Sequence, residues 1–551
     1  MDVYELIDKL DDETKENIAQ VMWMEEFNVE ELLEEIVKKL GSKKNSNKCF
    51  GERMRYLLSE KLKNPDSFTP SYKNVYETLS EYSKSLSPHQ MYAMTFFLGM
   101  DSSKGYKPIP AKADFKIPED EAPQWDYQLG WHFIVGSCIG NNGKEYGVQF
   151  MFWQYALLPP DIAKYFGLSD IENQFIELHL AISEAGGKHH RSKPIGVAGT
   201  TGLIDFSDKP FNYTLGMNKI ASLSEDSTFP MRIRGRGFDL DPASPSEIEV
   251  DITLTQTKGY LLQGKEGCDP CCGGVGTLYY SVPNLRVDPD RSVLRINKEE
   301  VSLKNGKFWY DHQWCNGMLP AGNPRVKVLR AANNMNEKAA GGWDWFMAQF
   351  KGDREITMAS IHSHEMVQFL NQDGPNPPEA MEAEVSGKYI DEESNPKNIK
   401  GTLKISEWIK SEKSQDPNLY PVTNTWYPQK WEFSFGEDVP EDIRSFVMIP
   451  IVNGGQSGFF ANGLHYSEGA VYLIDPAGNS IGRGFAESTG YSDPILNRLK
   501  LAGIPANEEM QNKLEIPKPS FFLKLISSLY ILWPSNKSKL KKLLINCLDA
   551  N

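Results

Sequence analysis

The chain has 551 residues, a length that predicts two or three domains, and its 40% hydrophobic and 24% charged contents are typical of a globular protein. A net charge of -15 and a pI near 5.3 disfavour nucleic acid as a partner, because phosphate binding needs a basic face. Seven cysteines, an odd number, do not form a disulfide framework and indicate a reducing compartment.

The first 104 residues carry helical patterns. The runs VYELIDKL, ENIAQVMWMEEF and VEELLEEIVKKL place apolar residues three and four positions apart, with acids on the other face. The acidic start of the chain has neither the basic nor the apolar part of a secretory signal. We therefore expect an α-helical N-terminal region at 1–104 and a cytoplasmic location.

From about residue 105 the pattern changes to short alternating runs. A proline-rich connector is followed by WHFIVGSCIG and EYGVQFMFWQY, which are joined across Asn-Asn-Gly-Lys as in a β-hairpin. Similar runs, several separated by glycine-containing turns, continue to about residue 493. The pattern predicts a mainly β protein, with antiparallel barrels or sandwiches at 105–318 and 319–495.

The last segment, 496–551, combines an apolar stretch with a lysine cluster. Phe521 to Trp533 is too short to span a bilayer, but it suits a helix lying in the membrane interface with the lysines toward anionic head groups. The tail at 519–551 is thus expected either to contact a membrane peripherally or to dock on the β-domains as a final helix.

Two short motifs invite a metal interpretation. Cys268, Cys271 and Cys272 have CxxC spacing, but a structural zinc site needs four ligands and no second pair lies at a typical distance. His362 and His364 share one face of a strand without an obvious third ligand. We expect no metal, and the absence of a nucleotide-binding glycine loop argues against a nucleotide cofactor.

The segment KFWYDHQWCNG, at 307–317, has the densest group of chemically versatile side chains. Strand alternation divides six of them between two faces, with Trp309, Asp311 and Gln313 on one and Tyr310, His312 and Trp314 on the other. A carboxyl in an apolar pocket has a raised pKa and can hold a proton near neutral pH. An indole beside it can stabilise a carbocation, so this face suits hydration or cyclisation of a polyene.

A structural interpretation explains the same residues, since an Asp-His pair can pin a strand inside a barrel. The segment GGWDWFMAQF, at 341–350, admits both interpretations, with Asp344 as a second candidate acid between Trp343 and Trp345.

Several short motifs follow one another along the chain. They are Trp131–Gly136 with Phe150–Phe152, Tyr279–Pro283, Trp309–Trp314, Gly342–Phe346, Tyr466–Val471 and Gly482–Tyr491. In this order they resemble the motifs of the hydroxyneurosporene synthase (carotenoid 1,2-hydratase)/AttH family of paired lipocalin-like domains. The resemblance covers roughly residues 120–495 and implies two lipocalin-like barrels. Cys315 departs from the pattern, which has glycine after the last tryptophan of the core motif.

The resemblance also implies chemistry, since family members hydrate carotenoid double bonds or catalyse cyclisations in polyketide pathways. It assigns an acidic role to Asp311, with Tyr310 and Trp309 beside it. We expect Asp311 to donate a proton as water adds to a double bond of an isoprenoid or polyene, with His312 and Tyr310 as its orienting partners and no cofactor. The candidate substrate-binding residues are Trp309, Trp314, Trp343, Asp344, Trp345, Tyr279 and Trp131.

Two alternatives remain open from the sequence. The pocket can fold a polyene for a cyclase or pericyclase (Diels-Alderase-like) reaction through shape and desolvation. The protein can also be a non-catalytic lipid binder that the C-terminal tail brings to a membrane. All three hypotheses share an apolar small molecule as the partner.

Overall fold

The computed structural model describes residues 106–491 with internal gaps. The gaps are 111, 157–159, 161–162, 164–168, 193, 200–201, 240–243, 270–276, 317–341, 363–375, 411–425, 453–456, 460–464 and 490. The helical region expected at 1–104 and the tail at 496–551 lie outside the described residues. Within the described part, no helix is long and apolar enough to cross a membrane.

Fifteen described strands form the first sheet. They are β1 Leu129–Gly140, β2 Glu145–Ala156, β3 Gln174–Glu184, β4 His189–Arg191, β5 Ile195–Ala198, β6 Ile204–Asp208, β7 Phe211–Leu215, β8 Asn218–Ser222, β9 Met231–Asp239, β10 Ser246–Gln256, β11 Leu261–Leu262, β12 Cys268–Asp269, β13 Thr277–Val287, β14 Val293–Ile296 and β15 Glu299–Cys315. Their main order is β4-β3-β2-β1-β15-β13-β10-β9-β8-β7-β6. Short 3-10 helices lie at Glu119–Glu121 and Pro289–Arg291.

Nine described strands form the second sheet. They are β16 Gly342–Phe350, β17 Glu355–His362, β18 Met381–Ile390, β19 Pro396–Lys410, β20 Trp426–Phe435, β21 Ser445–Pro450, β22 Ser457–Phe459, β23 His465–Ile474 and β24 Ser480–Thr489. The order is β21-β20-β19-β18-β17-β16-β24-β23-β22, and β21 also pairs with β23, which closes the sheet into a barrel. A 3-10 helix at Glu441–Ile443 precedes β21.

The first sheet closes into a barrel through contacts of β3 and β4 with β9 and of β4 with β10. His190 Nδ1 on β4 lies 2.8 Å from Ser246 Oγ on β10. Gly235 on β9 makes room for Phe150, because a Cβ there would lie 2.7 Å from the Phe150 ring. The expectation of a mainly β protein with two barrels is therefore confirmed.

The predicted hairpin is present between β1 and β2. The turn residue Gly143 has φ of 79°, a left-handed conformation that glycine adopts without steric conflict. Both strands that it joins are buried along almost their whole length, on both faces. One face packs into the first barrel and the other packs against the second barrel, so the period-2 pattern of apolar residues is replaced by continuous burial.

Apolar side chains form three large clusters. One fills the first barrel, one fills the second, and the third lies between them, where Trp131 and Trp153 of the first barrel meet Trp345 and Phe485 of the second. This third cluster makes the junction between the barrels a continuous apolar layer.

Buried polar contacts also cross this junction. Lys258 Nζ, which follows β10, lies 2.7 Å from Glu355 Oε2 at the start of β17, and both side chains are almost fully buried. Asn284 Nδ2 donates to the other Glu355 oxygen at 2.6 Å. At another point, Arg483 of the second barrel pairs with Glu145 of the first.

Candidate active site

A cavity lies in the junction between the two barrels. Strands β1, β2, β13 and β15 supply one wall, and β16, β17, β23 and β24 supply the other. The space between the walls, counted together with the open mouth, is about 720 Å³. Most of the lining is apolar, and four of its side chains are tryptophans: Trp131, Trp153, Trp343 and Trp345.

The tryptophans are positioned by cross-strand pairing. Trp131 on β1 lies directly opposite Trp153 on β2, and their rings stack with centroids 4.5 Å apart and an interplanar angle of 4°. Trp345, from the second barrel, contacts Phe133 edge-on at 5.5 Å. Aromatic rings on both walls suit an extended, unsaturated apolar ligand.

Asp311 lies in this aromatic wall, near the C-terminal end of β15. Its cross-strand neighbour Ser281 on β13 donates to Oδ1, and Trp309 Nε1, two residues earlier on the same face, donates to Oδ1 at 2.6 Å. Tyr279 donates its hydroxyl proton to Oδ2 at 2.7 Å. Trp345 Nε1 in turn donates to the Tyr279 hydroxyl at 3.1 Å, so the second barrel also supports the carboxyl.

Burial raises the pKa of Asp311 to about 7, although its three hydrogen-bond donors act in the opposite direction. The two oxygens have different surroundings. Trp309 can only donate, and Gln263 Nε2 donates to Ser281 Oγ at 2.9 Å, which leaves the Ser281 proton for Asp311 Oδ1. Among the described residues Oδ2 meets only the Tyr279 hydroxyl, which can turn from donor to acceptor, so Oδ2 is the oxygen that carries the proton when Asp311 is protonated.

The other face of β15 points into the first barrel, as alternation predicts. Tyr310 donates to the buried Glu121 carboxyl, and His312 stacks on His132 with centroids 4.0 Å apart. His312 Nδ1 lies 2.9 Å from the Tyr280 hydroxyl, and burial lowers the pKa of the imidazole well below its usual range.

The structure therefore does not bring His312 and Tyr310 together with Asp311. The orientation of the Asp311 carboxyl comes from Tyr279, Ser281 and Trp309 instead, because only residues of the same strand face and of the neighbouring strand reach it.

The remaining predicted residues also divide between two environments. Trp343 and Trp345 line the cavity with Tyr279 and Trp131, whereas Trp314 lies in the core of the first barrel. Asp344, between the two tryptophans, points into the second barrel, where Tyr491 donates to both of its oxygens at 3.1 and 2.9 Å. Burial raises the pKa of Asp344 to about 7, but the carboxyl is not part of the cavity wall.

Three further carboxyls line the cavity and were not assigned from the sequence: Asp269 on β12, Glu468 and Glu487. Glu468 on β23 and Glu487 on β24 lie directly opposite each other, on the wall facing Asp311. Burial raises the pKa of Glu487 to about 7 and that of Glu468 well above its usual range. Both belong to the motifs at Tyr466–Val471 and Gly482–Tyr491, so an acid within these motifs was the available signal.

The two candidate metal motifs are only partly covered by the residues that the structure describes. Cys271, Cys272 and His364 lie outside the described residues. Among the residues that the structure does describe, no three histidine, cysteine or carboxyl side chains converge as a metal centre requires.

Comparison with known proteins gives the relatives of this fold. The profile of the AttH-like family matches residues 108–491. A protein assigned as AttH from Nitrosomonas europaea is 19% identical, with a TM-score of 0.50, over 70% of this chain and 99% of its own. Kievitone hydratase from Nectria haematococca is 13% identical, with a TM-score of 0.44, over 72% of this chain and 99% of its own. None of the curated proteins matches the chain. At these identities the structural likeness concerns the fold alone.

Proposed function

This chain belongs to the AttH-like family, and we propose that it is an enzyme that adds water to a carbon–carbon double bond of an apolar substrate, with Asp311 as the proton donor. The observation that carries the proposal is the place of Asp311. It is a buried carboxyl, fixed by three hydrogen bonds, in the wall of an aromatic cavity.

The burial of Asp311 supports its role as an acid. An alkene is a weak base, so the donor must be a carboxyl that still holds its proton near neutral pH, and desolvation brings the pKa of Asp311 to about 7. The bond from Oδ2 to hydrogen breaks as the alkene electron pair forms a new carbon–hydrogen bond. The neighbouring carbon becomes cationic, and the indole rings of Trp131 and Trp153 in the cavity wall can stabilise that charge before water adds.

The lining also favours a substrate class. Lysine and arginine do not occur among the described lining residues, whereas four carboxyls do: Asp269, Asp311, Glu468 and Glu487. A ligand with a negative charge would be repelled, so we propose a neutral, unsaturated molecule such as an isoprenoid or polyene. The resemblance of the sequence motifs to those of carotenoid hydratases supports the same class.

The test compares apolar extracts of host cells that carry no copy of the gene, the wild-type gene or Asp311→Asn. We expect a product heavier than its precursor by one water in the wild type, reduced at least about 100-fold in the variant. The matched control is Asp251→Asn, which removes a largely buried carboxyl that pairs with Arg232 outside the cavity.

Other outcomes would reject the hydratase assignment. A product of unchanged mass but different retention would indicate cyclisation or isomerisation in the same cavity. Extracts that do not differ between the wild type and the empty host would leave ligand binding as the function. Full activity in Asp311→Asn would show that the carboxyl is not the acid.

A further inference from the structure

The junction cavity contains a second acidic feature, which the proposed protonation step does not use. Glu468 and Glu487 are cross-strand partners on β23 and β24, and Trp345 on β16 is the partner of Glu487 on its other side. Directly opposed side chains of an antiparallel pair have Cβ atoms about 4.5–5.5 Å apart. All three side chains therefore project from the second barrel toward the wall that holds Asp311.

The two glutamates have different surroundings. Glu468 is 3% exposed, accepts one hydrogen bond from Gln149 Nε2 at 2.7 Å, and its buried Oε1 has no hydrogen-bond partner among the described residues. Glu487 is less buried, and Thr489 Oγ1 donates to its Oε1 at 2.7 Å. An unpaired buried oxygen is tolerated more easily in a neutral carboxyl than in a carboxylate.

Two negative charges at this position would be strongly unfavourable. The carboxyls face each other in an apolar layer, and the described lining offers no cationic side chain to offset them. One proton is therefore retained by the pair, and the structure favours Glu468 as its holder, since Glu487 is closer to solvent and has a hydroxyl donor.

We propose that Glu487 is the base that takes a proton from the water adding to the substrate, opposite Asp311, and that protonated Glu468 limits the pair to one negative charge. This inference rests on the proposed hydration. Hydration needs a proton on one carbon and hydroxide on the other, and the two barrels each provide one of the groups required.

The step balances without any further reagent. Asp311 loses a proton to the first carbon, and the water oxygen forms a bond to the cationic carbon. One water O–H bond breaks, and its proton passes to a Glu487 oxygen. Asp311 ends as a carboxylate and Glu487 as a carboxylic acid, and exchange of one proton with solvent restores both.

The test uses the full chain, with apolar host extract as the source of substrate, in heavy water. In Glu487→Gln, we expect hydrated product to fall about 100-fold or more, while the recovered precursor still acquires deuterium because Asp311 still protonates it reversibly. Asp311→Asn should lose both signals. Glu249→Gln, in which an outward-facing carboxyl paired with Arg295 is replaced, is the matched control and should keep both.

The outcomes separate this inference from the function on which it rests. Wild-type hydration in Glu487→Gln, with hydration lost in Asp311→Asn, would overturn the role of Glu487 and keep the hydratase. Retained hydration in Asp311→Asn would overturn the role of Asp311 as the acid, and a wild type that forms no hydrated product would overturn the hydratase itself. If the glutamine variant fails to fold, Glu487→Asp replaces it, since a shorter carboxylate should retain some hydration and a slower step should still leave deuterium exchange intact.

The protonation state of Glu468 has a separate measurement. The carboxylic-acid stretch in the infrared spectrum of the protein near neutral pH should lose about one group's intensity in Glu468→Gln and none in Glu249→Gln. An unchanged band in Glu468→Gln would overturn the assignment of the retained proton.

Discussion

The buried ion pair between the barrels allows a quantitative test of how the junction is held together. Lys258 Nζ lies 2.7 Å from Glu355 Oε2 and also donates to the carbonyl oxygens of Asp353, at 2.6 Å, and Asp391. The Lys258 and Glu355 side chains are 4% and 0% exposed. Lys258→Met keeps the apolar stem but leaves a carboxylate in the junction, where Asn284 is the remaining hydrogen-bond donor among the described residues.

We expect this substitution to lower the free energy of unfolding by about 3–5 kcal/mol, the loss found when one partner of a buried pair is removed. The loss should depend on pH. Burial already raises the pKa of Glu355, and Lys258 opposes that rise, so removing the lysine raises the pKa further. The folded variant then binds a proton that the unfolded chain releases above a pKa of about 4.5.

The direction of the pH dependence follows from the binding of that proton. A carboxyl with a raised folded pKa contributes stability that is complete below the unfolded pKa and is lost as pH rises through the folded value. The deficit of Lys258→Met against the wild type should therefore grow between about pH 5.5 and pH 8, by up to about 1.4 kcal/mol per pH unit. Urea unfolding at the two pH values, followed by tryptophan fluorescence, measures both quantities.

The control is Lys112→Met, which removes an exposed lysine 3.3 Å from Glu266. Its effect should stay within about 1 kcal/mol and should not change with pH. A deficit below about 1 kcal/mol for Lys258→Met, or a deficit equal at both pH values, would refute the argument that the junction depends on this pair.

Two further predictions concern the cavity and the packing of the junction. If Asp311 is the acid, turnover should fall about tenfold per pH unit above a pH of about 7. Tyr279→Phe should move this decline to higher pH, because the Tyr279 hydrogen bond lowers the pKa of Asp311. A decline that stays at the same pH would contradict this role of Tyr279. Gly147→Ala should lower the free energy of unfolding by about 1–3 kcal/mol in the same urea titration, because the new Cβ would lie 2.4 Å from the Ala470 Cβ of the second barrel. The control is Gly436→Ala, which should be neutral because a Cβ at that position would have no atom within 4 Å.

The strands were predictable from the sequence because each carries its own signal. Alternation, glycine turns and the Asn-Asn-Gly-Lys hairpin are local, and they correctly gave a mainly β protein but left barrels and sandwiches open, whereas the structure has two barrels. The docking of one barrel on the other was not readable, since it depends on contacts between residues about 100 positions apart, such as Lys258 and Glu355. The burial of β1 and β2 on both faces is a consequence of this docking.

The candidate site was predicted in part for the same reason. Trp309 lies two residues from Asp311, and strand geometry alone places both on one face. Tyr279 and Ser281 reach the carboxyl through pairing of β13 with β15, a register that a single sequence does not specify. Glu468 and Glu487 come from the second barrel, so only the folded chain shows that they share a cavity with Asp311.

The two tryptophan–aspartate motifs show how one residue of spacing decides the role of an acid. Strands β15 and β16 both turn tryptophans toward the junction, Trp309 in the first and Trp343 and Trp345 in the second. In W-x-D the aspartate is two residues from the tryptophan, so Asp311 faces the cavity with it. In W-D-W the aspartate is one residue away, so Asp344 faces the second barrel and meets Tyr491. The parity of the spacing is visible in the sequence, and it assigns Asp344 to the barrel interior and Asp311, of these two aspartates, to the junction.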